Sequence, residues 1–471
     1  MNRDLLEKAI SHISDAHITE AANPKRHRKF WIPTVAAATA AAILVLLLVN
    51  SLIPKPTPVI SADPLRLAAA PRITAAPIRS NYESKAEFDN AINAWHAEQA
   101  ARGTLKSTAL AQLDRFFIDS SAIFLSGEGN QLWSPANAYV GLAMLAELTA
   151  GESQRQILNL LGTDHIDALR KQTAAMFESA YFSDGKEISK LANSLWLREG
   201  LSCKEDALDT LAYYYYASVY SGDLASDEIA QSIAAWLNEN TGGLLAEYPP
   251  QKLSLLTVFA LYSTIYFQAQ WDDCFYPQYN KQGIFHSPSG NRNVTYMNKT
   301  YTTDYYWGNS FGAVSLSLNN GSRMWFILPD EGKTTADLLS EGQYMDVILS
   351  NSWENRQTSR VNLSVPKFDV SGKQSLVEGL KQLGVTDIFS IEKADFSNLA
   401  DDTQVYVDFI NQAVRVQIDE EGVTGAAYIE IGGVESAPPP GEEVDFSLDR
   451  PFLFIITSDN VPLFSGVVNE P

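Results

Sequence analysis

Apolar and polar positions change their spacing several times along the chain. From residue 81 onward, apolar residues three and four apart predict α-helices, and apolar residues at every second position predict β-strands. The predicted helices are 84–101, 106–118, 135–149 and 227–240. The predicted strands are 188–197, 254–267, 312–319, 324–329, 361–368, 406–419 and 451–457. Strands outnumber helices in the second half without regular alternation, which predicts an α+β body with large, mostly antiparallel sheets.

One strand-like run near the C-terminus has an unusual composition for a strand. Every second residue is small or apolar, namely Val423, Gly425, Ala427, Ile429, Ile431 and Gly433. Glycine has a low strand propensity, and the three prolines at 438–440 cannot donate hydrogen bonds to a sheet. The pattern therefore predicts a loop that can become a strand with one buried face.

An uncharged apolar run at 31–53 predicts a transmembrane anchor. As a helix it would rise on the order of 34 Å, more than a bilayer core of about 30 Å. A buried core helix is the alternative, but a cluster of Lys, Arg and His stands directly before the run, at 25–29. The positive-inside rule then places the N-terminus in the cytoplasm and everything after the anchor outside the cell.

These features divide the chain into four segments. Residues 1–30 form a cytosolic N-terminal segment and 31–53 the anchor. Residues 54–80 are rich in proline and alanine and predict an extended extracellular linker. Residues 81–471 form the folded extracellular body. The protein is thus expected at the cell membrane as a single-pass protein, and the anchor is typical of a bacterial surface protein.

Composition narrows the choice of partners. The chain has 45% hydrophobic and 11% aromatic residues, enough for a large core. With 35 Lys and Arg against 56 Asp and Glu, the formal charge is −21, which repels phosphate backbones and argues against a nucleic-acid partner. Cys203 and Cys274 lack the spacing of a metal or redox motif. Free, packed thiols are expected, although the sequence leaves a disulfide open.

A search for catalytic motifs yields one weak candidate. Gly308, Ser310 and Gly312 match the G-x-S-x-G pattern of a hydrolase nucleophile elbow. The residues that follow alternate like a strand, however, where the elbow requires a helix. The histidines expected outside the cell show no metal-ligand spacing: His96, His165 and His286. The sequence therefore predicts that the protein is not an enzyme and uses no cofactor or metal. The alternative hypothesis is a hydrolase whose nucleophile is Ser310.

Seven segments resemble, in order and spacing, the signature segments of the serpins. They lie at 133–162, 193–197, 233–243, 256–275, 361–390, 414–422 and 449–471. The resemblance covers roughly residues 105–471, so that 81–104 is an added N-terminal helix. It implies a monomeric serpin fold with three β-sheets, about eight or nine helices and an exposed reactive-centre loop, preceded here by the transmembrane helix.

The resemblance also implies inhibition of serine proteases by suicide-substrate trapping. Serpins present the reactive-centre loop as bait and insert it as a new strand into the central sheet. About a dozen new ladder bonds at roughly 0.5–1.5 kcal/mol each would release on the order of 10 kcal/mol, comparable with the stability of a domain. The matching hinge residues, which favour insertion, are Glu420, Glu421, Gly422, Val423, Thr424, Gly425, Ala426 and Ala427. A non-inhibitory serpin acting as a binding module is the alternative.

In serpins the bond that a protease cleaves lies a fixed number of residues after the position that Glu420 matches. This count places the bond at Ser436–Ala437, with Val434–Glu435 as the second choice. No Lys or Arg lies within 422–449, which disfavours trypsin-like targets. Small residues around the bond suit elastase-like or subtilisin-like proteases, and Glu435 leaves a glutamate-specific endopeptidase open.

Further roles follow from the resemblance for residues around the central sheet. Trp271 and Lys367 match the breach, where insertion begins, and Lys367 is expected to pair with Glu420. The polar shutter lies further down the sheet, and its serine and asparagine are exchanged relative to the usual family pattern. The matching shutter residues are Asn137, Ser263 and Gln412.

Overall fold

Some of the helices begin at a proline or at a residue whose side chain caps the first turn. The computed structural model describes residues 66–68, 82, 84–103, 113–183, 187–246, 252–349, 353–401, 404–423 and 443–471. These ranges contain the helices α1 (Lys85–Gly103), α2 (Asp114–Phe124), α3 (Pro135–Leu148), α4 (Gly151–Leu160), α5 (Ile166–Ala180), α6 (Glu205–Tyr215), α7 (Asp227–Asn240), α8 (Thr335–Glu341), α9 (Gln343–Leu349) and α10 (Val377–Gln382). Proline occupies the first turn of α3, and the Ser226 hydroxyl accepts the Ile229 amide at 3.2 Å to cap α7.

The same ranges contain seventeen strands. They are β1 (Arg66–Ala68), β2 (Gln131–Trp133), β3 (Phe182–Ser183), β4 (Ile188–Arg198), β5 (Ala217–Gly222), β6 (Phe259–Gln270), β7 (Lys281–Ser287), β8 (Gly290–Trp307), β9 (Phe311–Ser317), β10 (Arg323–Pro329), β11 (Arg356–Pro366), β12 (Phe368–Ser375), β13 (Asn411–Ile418), β14 (Gly422–Val423), β15 (Glu443–Ser447), β16 (Phe452–Ser458) and β17 (Val461–Val468).

The strands form two sheets. The eight-stranded sheet has the order β1-β5-β4-β6-β14-β13-β12, with β3 on β4. The nine-stranded sheet has the order β15-β11-β8-β9-β10-β16-β17-β2, with β7 on β8. Among the described strands, only β4 with β5 and β11 with β15 pair in parallel. The predicted α+β body with mostly antiparallel sheets is therefore confirmed.

The main core lies between the two sheets. Helix α3 contacts both β6 and β17, and almost all of its residues are buried. Aromatic rings also join the sheets, with centroids 6.2 Å apart for Phe267 and Phe464 and 5.4 Å apart for Phe368 and Phe454. Strand β17 is buried throughout, so its sequence does not alternate between apolar and polar residues.

Several predicted boundaries differ from the structure for identifiable reasons. The helix predicted at 106–118 overlaps α2, whose first residue is Asp114 and which continues to Phe124 because apolar residues keep facing the core at helical spacing. The predicted start at 106 lies outside the described residues. The strand predicted at 254–267 starts only at Phe259, because the Thr257 amide donates to the Ser254 carbonyl and closes a turn. The strand predicted at 406–419 starts at Asn411, where pairing with β12 begins.

The count of sheets and helices also departs from the expectation. The resemblance implied three sheets and about eight or nine helices, whereas the described residues form two sheets and ten α-helices. Two of the three expected sheets are joined in the nine-stranded sheet, because β8 is 18 residues long. It pairs with β7 and β11 and, at Tyr306 and Trp307, also with β9.

The N-terminal part of the body corrects one further prediction. Within the expected linker 54–80, Arg66–Ala68 form β1, which pairs antiparallel with β5 at the edge of the eight-stranded sheet. This part of the linker is therefore not a free spacer. The anchor predicted at 31–53 lies outside the described residues, and none of the helices in the described ranges combines the length and apolar character needed to cross a membrane.

Candidate functional site

The hinge enters the eight-stranded sheet at one end of β6 and β13. Val423 of β14 pairs with Ile418 of β13 and with Ala269 of β6. Among the described residues, β6 and β13 form no ladder with each other, and β14 is the strand that pairs with both of them. Beyond Val423, toward Phe259 of β6 and Asn411 of β13, these two strands therefore border an interval of the sheet with no described strand between them. We call this interval the strand gap.

Both residues of β14 fit their place closely. A side chain on Gly422 would collide with the carbonyl oxygen of Ala269, so this position requires glycine. Val423 is only 2% exposed and lines a small pocket with Phe267, Val416 and Phe464. The first inward-facing hinge residue is thus already packed on the core at the mouth of the strand gap.

The turn before β14 is fixed by hydrogen bonds. The carboxylate of Asp419 accepts the amides of Glu421 and Gly422 at 2.9 and 3.2 Å. The indole Nε1 of Trp271 donates to the Asp419 carbonyl at 2.9 Å, and the Trp271 amide donates to the Glu421 carbonyl at 2.9 Å. The amide of Phe275 donates to the Glu420 carbonyl at 3.0 Å. Trp271 therefore contacts the turn at the start of the hinge, and its role in the breach stays a prediction.

An ion pair holds the side chain of Glu420 in the same turn. The Lys367 ammonium lies 2.5 Å from a carboxylate oxygen of Glu420, and the amide of Asn280 donates to the same oxygen. Burial disfavours the ionised form of Glu420, but the hydrogen bonds from Lys367 and Asn280 outweigh it and hold the pKa of this carboxyl below its usual range. The expected Lys367–Glu420 pair is thus present. Because Lys367 is 38% exposed, the pair contributes little stability and mainly positions the turn.

The three shutter residues form one network across the strand gap. The side-chain amide of Asn137 donates to the Ser263 hydroxyl of β6 at 2.9 Å. Gln412 of β13 donates to Asn137 at 3.3 Å and to the Ser134 carbonyl at 2.9 Å, and it accepts the Ser134 amide at 2.9 Å. The start of α3 therefore connects the two strands that border the gap, and the exchanged serine and asparagine still meet.

Breaking this network should destabilise the body. Asn137→Ala removes the donor to Ser263 and the acceptor of Gln412, so we expect a loss of about 1–3 kcal/mol in the free energy of unfolding. Ser263→Ala should cost less, because it removes one bond. Thermal unfolding midpoints at a fixed scan rate measure both effects. Ser232→Ala on the surface of α7 is the matched control, and unchanged midpoints for both shutter variants would refute the structural role of the network.

Several predicted site residues lie outside the described residues. Residues 424–442 separate β14 from β15, which belong to different sheets. The predictions on this segment concern the second half of the hinge, Thr424, Gly425, Ala426 and Ala427, and the reactive bonds Ser436–Ala437 and Val434–Glu435. They stay predictions.

The rival hydrolase site has no supporting geometry. Ser310 is 1% exposed and donates to the Glu341 carboxylate at 2.5 Å. The strand β9, and not a helix, follows it directly. Cys203 and Cys274 are free thiols, both half-buried. In the ranges that the structure describes, no three His, Cys, Asp or Glu side chains are grouped so that they could hold a metal ion.

The sequence pattern did not predict a buried ionic cluster around Glu147. Glu147 of α3 has a side chain only 5% exposed and accepts two bonds from Arg170 of α5, Nε to Oε1 at 2.8 Å and Nη2 to Oε2 at 2.9 Å. The Tyr215 hydroxyl of α6 donates to Oε1 at 2.7 Å. The bonds to Glu147 raise the pKa of Arg170, and burial followed by the Glu147 charge raises the pKa of Tyr215. The sequence did contain one signal of this cluster, since Glu147 is the single carboxylate in the mostly apolar helix α3.

Comparisons with known proteins point to a single family. A family model described as serpin (serine protease inhibitor) matches residues 117–471. The chain is 27% identical over 373 residues to Serpin-ZX of Arabidopsis thaliana, covering 74% of this chain and 93% of that protein. It is 28% identical over 356 residues to the alpha-1-antiproteinase of Callosciurus caniceps, covering 74% of this chain and 84% of that protein. The native structure of the thermophilic serpin tengpin superposes with a TM-score of 0.69 at 26% identity, covering 78% of this chain and 95% of that one.

Proposed function

Because this chain belongs to the serpin family of serine protease inhibitors, we propose that it traps extracellular serine proteases as a suicide substrate. The observation that carries the proposal is the seating of Val423 between Ala269 and Ile418, at the mouth of the strand gap. The chain after Val423 needs only to continue in the same direction to form a complete strand between β6 and β13.

The pairing register supports this insertion. Continued by sequence from Val423, the register would set Gly425 between Phe267 and Val416, and Ile429 between Ser263 and Gln412. The residues facing the core would then be the small and apolar series that alternates along the loop. Insertion would add ladder hydrogen bonds on both edges of the new strand, which is the energy source of the trap.

The proposed chemistry belongs to the protease. Its nucleophilic serine attacks the carbonyl carbon of Ser436, the bond to Ala437 breaks, and the carbonyl of Ser436 becomes an ester of the enzyme. Insertion of the loop then carries the ester-linked protease along the sheet. Distortion of the oxyanion hole would prevent water from completing hydrolysis. Small residues at the bond favour elastase-like or subtilisin-like targets.

The proposed location follows from the anchor. Residues 31–53 would cross the membrane once, with 1–30 in the cytoplasm and the serpin body outside. The body would act as a monomer, and no cofactor takes part in the proposed mechanism. Display on the surface would place the inhibitor where secreted proteases meet the cell.

The test is a reaction of the full chain with pancreatic elastase and with subtilisin. We expect a covalent complex that survives denaturing electrophoresis and, after denaturation, a C-terminal peptide that begins at Ala437 or, for the second-choice bond, at Glu435. Protease with its catalytic serine chemically blocked is the control and should give no complex. Clean cleavage without a complex by every protease tried would instead support the non-inhibitory binding module.

A further inference from the structure

Two leucines are displayed on a turn just before β6. Leu255 and Leu256 are 80% and 86% exposed, whereas Leu253 beside them is buried. The turn is held by its own bonds, since the Ser254 amide donates to the Thr257 hydroxyl at 3.1 Å and the Thr257 amide to the Ser254 carbonyl at 3.1 Å. A fixed turn that exposes two large apolar side chains is suited to an apolar partner. We call Leu255 and Leu256 the leucine turn.

The leucine turn lies at the end of the eight-stranded sheet that is remote from the hinge. Strand β6 begins at Phe259, and its twelve residues lead to Gln270 beside Gly422, a distance of about 40 Å at the usual rise of a strand. The Arg198 amide of β4 donates to the Val258 carbonyl at 2.9 Å, so β4 ends beside the leucine turn.

The N-terminal strand enters the sheet at this same end. Strand β5 is parallel to β4 and ends at Gly222, opposite Arg198. Strand β1 is antiparallel to β5, with Arg66 opposite Tyr220 and Ala68 opposite Val219. Arg66, the first described residue, therefore lies toward the end of the sheet that carries the leucine turn.

The chain length before β1 limits how far the body can lie from a membrane. Only the twelve residues 54–65 separate the proposed anchor from Arg66. Fully extended, they would span on the order of 40 Å. If the proposed anchor crosses a membrane, a body tethered within this distance at the leucine-turn end would be able to bring that end to the bilayer.

We propose that Leu255 and Leu256 insert into the surface of the bilayer that holds the anchor, so that the hinge and reactive-centre loop point away from the membrane. The proposal rests on the proposed anchor at 31–53. Leucine side chains gain by leaving water for the acyl-chain boundary. The exposed carboxylates of Asp223 and Glu228, at the same end of the sheet, would be repelled by anionic headgroups, so zwitterionic lipid is the suitable partner.

The test uses the full chain in vesicles of phosphatidylcholine that include a phosphatidylcholine with a photoreactive acyl chain. After illumination, mass spectrometry maps lipid adducts on peptides. We expect adducts at 31–53 and at 252–258. In Leu255→Ser/Leu256→Ser, adducts at 252–258 should fall at least about tenfold while those at 31–53 persist. Ile284→Ser, on a half-exposed residue of β7 near the hinge, is the matched control and should change neither.

The outcomes separate the two proposals. Adducts at 31–53 without adducts at 252–258 would leave the anchor standing and overturn the bilayer contact of the leucine turn. Adducts at neither segment would overturn both. Adducts at 252–258 that persist in the double variant would show lipid contact independent of the leucines and would also overturn the proposal. Equal thermal unfolding midpoints for the double variant and the parent chain establish that the fold is retained.

Discussion

Val423→Arg should turn the protein from an inhibitor of its target protease into a substrate. Val423 is almost fully buried where the strand gap begins, against Phe267, Val416 and Phe464. A guanidinium in this pocket would keep its charge without a partner, a cost that the ladder bonds of an inserting strand cannot offset. The protease would then hydrolyse the ester before the loop enters the sheet.

The measurement is the number of inhibitor molecules consumed per protease molecule inactivated. We expect this ratio to rise by at least about tenfold, which requires a change of at least about 1.4 kcal/mol in the competition between insertion and hydrolysis. Val423→Ala, which keeps an apolar side chain, and Tyr279→Arg, on an exposed residue near the hinge, are the controls. An unchanged ratio for Val423→Arg would contradict insertion along β6 and β13.

Arg170→Leu should be the most destabilising of the substitutions considered. It leaves the carboxylate of Glu147 buried with only the Tyr215 hydroxyl as a partner. Removal of one member of a buried ion pair costs about 3–5 kcal/mol, because the remaining charge has lost both its solvent and its partner. A lowered thermal midpoint at a fixed scan rate, with a native circular dichroism spectrum before the transition, is the expected result.

A double variant separates the charge effect from the loss of packing. In Glu147→Leu/Arg170→Leu no buried charge remains, so we expect most of the lost stability to return. Arg155→Leu removes an exposed partner of Glu152 and is the matched control, expected to change the midpoint little. If Arg170→Leu behaved like Arg155→Leu, the cluster would have no structural role.

Periodicity predicted the elements with one buried face and missed the limits that are set by hydrogen bonds, whether in a local turn or with a distant strand. Helix α7 has the predicted boundaries because a serine cap and an amphipathic pattern both act locally. Strand β6 does not, because its first residue is set by a turn whose bonds are invisible to apolar spacing. The merging of the sheets through β8 depends on pairing with three other strands, which no local pattern encodes.

The site was predictable to the extent that family motifs cover it. Trp271 and Lys367 contact the turn at the start of the hinge, and Asn137 contacts Ser263 despite the exchange of residue types. Their roles in loop insertion stay predictions. The pairing of β1 was not predictable, since three residues in a proline- and alanine-rich segment carry no periodicity. Their pairing depends on the backbone of β5, which offers hydrogen-bonding groups at the edge of the sheet.

The last part of the chain determines what a cut in the reactive-centre loop would leave behind. Residues 443–471 supply β15 beside β11 and the buried pair β16 and β17 within the nine-stranded sheet. A chain severed before residue 443 would therefore remain a two-chain particle, whose short chain is a structural subunit without a covalent link to the long one. The trapped protease would belong to the long chain, and the short chain would dissociate only when the whole body unfolds.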